Sequence, residues 1–138
     1  MENWKHVIVA GNHAFSAGQN QQALEHYQQA SACAREYLGQ WFDTKAAVMA
    51  LVVSDLNLAE TQCRLEQFSD AIDTYSTLSL DLRRFQCRFP QSNPIVGYVA
   101  QALTRVKQEF LTLTKTYAYD ILDVPPQPAA APQASGAS

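Results

Sequence analysis

The residues that could do chemistry are few, and their spacing does not suit it. His6 and His13 lie seven residues apart, on one face of what reads as a single helix, and His26 falls on the next. Metal centres use closer sets, such as two histidines four apart with a thiolate or carboxylate beside them. The chain has no such set, so neither a metal nor any other cofactor is expected. A cysteine nucleophile needs a base and an electropositive setting. Cys63 precedes Arg64 and Cys87 precedes Arg88, but neighbours on a helix point about 100° apart, so both thiols read as small buried apolar groups. Glu25, Glu36, Glu60, Glu66 and Asp70 follow no pairing suited to general acid–base work. There is no Gly-rich phosphate loop and no nucleophile elbow. The sequence reads as that of a protein that is not an enzyme.

Bulk properties narrow the remaining classes. The chain has 138 residues, enough for one domain with a real core. With 47% apolar and 17% charged residues it is globular in composition. Its formal charge of −3 and scattered basic residues, of which Arg83-Arg84 is the longest run, argue against nucleic acid. The longest apolar stretch, Ala46–Val53, is far short of the roughly 20 residues that span a bilayer, so no membrane association is expected. The start MENWKHVIVAGNH has an acid at position 2 and no long apolar run, unlike a secretory signal. Three unpaired-looking cysteines suit a reducing compartment, and a cytoplasmic location is expected.

The elements that would position any site are all helices. Helical periodicity covers Asn3 to Tyr119, with breaks at Gly18, Gly39, Glu66-Gln67 and FPQSNP. Five helices follow, over about 3–17, 20–38, 44–64, 68–89 and 94–119. Asp43 or Thr44 is placed to cap the third. Asn93 is placed to cap the fifth, with Pro94 at its first position, where a missing N–H costs nothing. The third helix is apolar on every face between Ala46 and Val53, as a helix surrounded by others must be. The fourth and fifth carry apolar residues in steps of three and four, from Phe68 to Phe89 and from Val96 to Tyr117. Their short linker predicts that these seams face each other in an antiparallel hairpin. The rival use of the fifth helix is a coiled-coil dimer. Residues 1–120 are expected to form the domain, and residues 121–138, rich in Pro, Ala and Ser, a disordered tail.

One pattern returns. Ala23-Leu24-Tyr27 is echoed by Ala71-Ile72-Tyr75, 48 residues later, with Gly11 and Ala59 in matching earlier places. Small residues that admit a neighbouring helix, each followed by a gap-filling aromatic, resemble the tetratricopeptide repeat (TPR) family. The resemblance covers residues 4–89 well and 94–119 loosely. It implies an all-α stack of helical hairpins, two repeats plus a capping helix. The chain departs from the family's pattern at the usual Trp position, which holds Val7 and Asp55. It also departs in period, since the usual repeat is about 34 residues; the extra length would lie in longer second and third helices.

By that resemblance, alternate helices line a concave groove. Here they would supply Lys5, Ile8, Asn12 and Phe15, then Leu56, Asn57, Glu60 and Arg64, then Tyr98, Gln101 and Arg105. Asn12 and Asn57 occupy places where some TPR domains hold a peptide's terminal carboxylate. The expected function is a non-catalytic adaptor that binds a peptide or helix of another protein in this groove. The alternative is a structural or self-associating scaffold, a homodimer formed through the fifth helix or the Trp41-Phe42 corner.

Overall fold

The computed structural model describes residues 1–117 and is built of helices alone: α1 (Glu2–Ser16), α2 (Asn20–Tyr37), α3 (Thr44–Arg64), α4 (Phe68–Gln86) and α5 (Pro94–Thr116). No strand occurs among the described residues. The expected tail, 121–138, lies outside them.

Local chemistry sets the ends. The Asp43 carboxylate accepts from the Ala46 N–H at 3.0 Å, and the Asn93 side chain accepts from the Ile95 N–H at 2.9 Å. Each satisfies one of the amides that a helix start leaves without a partner. α4 ends at Gln86, not at residue 89. Phe89 precedes Pro90, whose ring disfavours helical backbone in the residue before it. Its N–H accordingly turns in to the Gln86 carbonyl, three residues back. α5 runs to Thr116 with Tyr117 at its end, and residues 118–119 of the expected fifth helix lie outside the described residues.

The turns closing α1 and α3 are alike. In the first, Gly18 has φ +75°, its N–H bonds the Phe15 carbonyl, and the Gln19 N–H bonds the Ala14 carbonyl. In the second, Glu66 has φ +60°, its N–H bonds the Cys63 carbonyl, and the Gln67 N–H bonds the Gln62 carbonyl. Each pair forms the crossed hydrogen bonds of a Schellman closure, which needs a left-handed residue. The sequence supplies glycine for the first turn and strains a glutamate into the second.

α3 is the axis of the molecule. It packs against α2, α4 and α5, and more thinly against α1. Ala47, Val48, Ala50, Leu51 and Val52 are buried, as the all-round apolar stretch requires. α4 and α5 form the antiparallel hairpin. Tyr75 stacks on Phe110 with ring centroids 4.1 Å apart, Phe68 meets Tyr117 at 5.9 Å, and the Gln86 amide donates to the Val96 carbonyl at 2.9 Å. Leu78, Leu82, Phe85, Val99 and Val106 close the seam between them.

The two tyrosines of the echoed pattern have different neighbours. Tyr27 lies against Gly11, where an added Cβ would come within 2.7 Å of its ring, and its hydroxyl donates to Asn12 at 2.7 Å. Tyr75 is half-buried and spends its ring on α5. Ala23 and Ala71, four residues before each, are both fully buried.

Candidate functional site

Two concavities lie on opposite sides of α3. At about 100° per residue, Met49, Val53, Leu56, Asn57 and Glu60 form one stripe of this helix, and Asp55, Leu58 and Gln62 form the stripe behind it.

The first stripe is exposed or half-buried, and α1 and α5 flank it. Val53 packs against the cluster that includes Val7 and Ile8 of α1. On the α5 side, Leu56 and Glu60 line a small hollow together with Glu109 and Phe110 of α5 and Tyr75 of α4. α1 and α5 do not pack on each other, so the stripe is the floor of an open trough. Every residue expected to line the groove sits on these three helices, but several are already engaged. Ile8 is buried in the core. Asn12 is held by the Tyr27 hydroxyl. The Arg64 guanidinium lies 3.5 Å from the Phe15 ring centroid and donates to the Phe15 carbonyl at 3.2 Å, closing one end of the trough. Arg105 reaches the Met49 sulfur at 3.3 Å and Glu109 at 3.6 Å. Tyr98 is half-buried beneath the Lys45 ammonium at 5.5 Å, and Gln101 is exposed. Asn57 is half-buried, and its carbonyl takes the Thr61 hydroxyl.

Burial pushes the Tyr27 phenol above its usual range. Nearby Glu60 adds to the rise and Arg64 opposes it. The histidines lie apart, with His6 and His13 exposed and His26 half-buried. Among the described residues no three His, Cys, Asp or Glu side chains gather closely enough to hold a metal ion.

The second concavity did not emerge from the sequence. α2 and α4 both pack on α3 but not on each other. Between them runs a cleft of about 400 Å³, lined by Gln28, Ser31, Arg35, Asp55, Leu58, Gln62, Asp70, Asp73, Thr74 and Thr77. Its floor is an ion-pair network. The Arg35 Nη2 donates to Asp55 at 2.8 Å and its Nε to Asp81 at 2.8 Å, so one guanidinium ties α2 to both α3 and α4. The Ser31 hydroxyl donates to Asp55 and accepts from Arg35 Nη1 at 2.6 Å. The Asp55 side chain is 1% exposed and that of Arg35 31%. Burial holds the Asp55 carboxyl above its usual range, and the bonds from Arg35 and Ser31 only partly oppose it. Burial also works against the charged Arg35, but Asp55 and Asp81 outweigh it and keep the guanidinium protonated. The signal for this site is one acidic residue, Asp55, at the end of an otherwise apolar buried run. A carboxylate there requires a cation from a neighbouring helix.

Residues 2–120 match a family described as protein of unknown function (DUF2753). No curated protein and no solved structure matches the chain.

Proposed function

The chain belongs to that family, matched over residues 2–120, and from its own geometry we propose that it is a non-catalytic interaction module. It binds a helix or extended segment of another protein in the trough between α1 and α5. The observation that carries this reading is the half-buried stripe Met49-Val53-Leu56-Asn57 on the most buried helix of the fold, which α1 and α5 flank without closing over it among the described residues. Apolar floors rimmed by charge, here Lys5, Arg64, Arg105 and Glu109, are the usual anatomy of a protein-binding surface. The regular build supports it: two hairpins, α1–α2 and α3–α4, close with the same crossed-bond turn, and α5 packs on both helices of the second. Asn12, tied to Tyr27, serves the scaffold, and Asn57, Tyr98 and Gln101 are the residues left to meet a partner.

The test is selection of peptides from a display library, followed by mapping of the bound peptide through backbone amide shifts. Shifts confined to α1, α3 and α5, and binding weakened by Asn57→Ala with Tyr98→Ala at unchanged melting temperature, are expected. Selected peptides that move only other helices would overturn the reading.

A second reading, self-association, is favoured by one observation. Phe42 is 89% exposed at the α2–α3 corner, beside a half-buried Trp41 whose ring lies 5.2 Å from Tyr37. Sedimentation of wild type and Phe42→Ser decides it. A dimer lost in the variant supports this reading, and a monomer at every concentration removes it.

A further inference from the structure

We infer that the cleft between α2 and α4 is a second binding site, one that receives an arginine-bearing peptide strand. The site lies on the face of α3 opposite the trough, so it stands or falls independently of the function proposed above.

Charge is the first support. One guanidinium faces three carboxylates in the lining, Arg35 against Asp55, Asp70 and Asp73. Arg35 is already committed to Asp55 and Asp81. Asp70 and Asp73 are exposed and make no ion pair among the described residues. The α4 rim therefore offers two free anions above a floor whose only cation is neutralised. A ligand placed there must bring positive charge, and a guanidinium matches paired carboxylates best because its donors form a planar fork.

Gln62 supplies the second, independent support and the reason for a peptide. Its side chain lines the cleft at 6% exposure for the residue. Its Oε1 accepts from the Thr74 hydroxyl at 2.8 Å, whereas its Nε2 has no acceptor among the described residues. A buried donor without a partner is costly, and this one borders the cleft. A ligand that donates to Asp70 and Asp73 and accepts from Gln62 would engage both the charged rim and the buried amide. A polyamine carries donors only. A peptide strand offers the guanidinium of its side chain and, beside it, a backbone carbonyl. The cleft volume lies within the usual range for ligand sites, about 300–1,000 Å³.

The test is calorimetric titration of the full chain at low and at physiological salt with three probes: an end-blocked Gly-Arg-Gly-Arg-Gly peptide, the same peptide with citrulline for arginine, and spermidine. Binding of the arginine peptide, weakened by salt and absent with citrulline, is expected. It should fall by about tenfold or more in Asp70→Asn/Asp73→Asn, as the loss of two charge-assisted hydrogen bonds requires. Two exposed carboxylates on α2, removed in Glu25→Gln/Glu36→Gln, are the control for net charge and should leave it unchanged. The amide shifts on binding should centre on Gln62, Thr74 and Thr77. Spermidine binding as tightly as the peptide, equal losses in the two double variants, or no binding of the arginine peptide to the folded chain would each overturn the assignment.

Discussion

Replacing Arg35 by Met tests the ion-pair network at its most informative point. Met keeps an unbranched apolar stem in place of the arginine's but leaves Asp55 without its cation. With its side chain 1% exposed, Asp55 cannot recover the lost bonds from water. Removing one partner of a buried pair costs about 3–5 kcal/mol. At a urea slope of about 2 kcal/mol/M, the unfolding midpoint should fall by roughly 2 M at pH 7. The reverse truncation, Asp55→Asn, should cost less, about 1–2 kcal/mol, because Arg35 is partly exposed and keeps Asp81 at 2.8 Å. The two losses should also differ in their response to pH. Asp55 is held above its usual carboxyl range by burial even in the intact protein, and without Arg35 burial acts unopposed by that charge. A folded-state value raised above the unfolded one favours folding at low pH, and that benefit is lost as pH rises through the raised value. The deficit of Arg35→Met should therefore shrink as pH is lowered from 7 towards the ordinary Asp range near ~4. Urea unfolding followed by far-UV circular dichroism at pH 7 and at pH 5 reads both effects. A deficit of Arg35→Met that is the same at the two pH values, or smaller than that of Asp55→Asn at pH 7, would refute this account of the network.

Two further outcomes follow from packing and burial. Gly11→Ala places a Cβ 2.7 Å from the buried, hydrogen-bonded Tyr27 ring and should cost about 1–3 kcal/mol, whereas Gly97→Ala meets nothing within 4 Å and should gain up to about 1 kcal/mol of helix propensity. Opposite signs in thermal melts are the result expected, and a neutral Gly11→Ala would mean that the α1–α2 contact is loose. The Cys63 thiol is pushed up to about 11, first by burial and then by Glu60. A thiol-specific disulfide reagent at pH 8 should therefore label exposed Cys87 first and Cys63 only on unfolding. Because its folded value is raised, Cys63 favours folding below the ordinary thiol range, near ~8.5, and this contribution should be lost as pH climbs through about 11.

Most of the helical scaffold was legible because it depends on local signals. Asn93-Pro94 and Asp43 fix two helix starts through single side-chain bonds. The unbroken apolar run in α3 declares a central helix, and the stepped seams of α4 and α5 predict which faces meet. The overrun at Phe89 came from extending a hydrophobic period into the residue before a proline, where backbone sterics outweigh burial. The groove residues were placed on their helices correctly, but what already occupies each was not legible: Asn12 is claimed by Tyr27, and Arg64 by Phe15. The cleft was missed for a similar reason. Arg35, Asp55 and Asp81 stand 20 and 26 residues apart, on three separate helices, and no periodicity within one helix can relate them.

The trough and the cleft share α3 as their common wall, and the first hairpin is attached to that wall chiefly through α2. Arg35, bonded at once to Ser31 on its own helix, to Asp55 on α3 and to Asp81 on α4, spans the cleft from one wall to the other, so one guanidinium fixes how far α2 stands from α4.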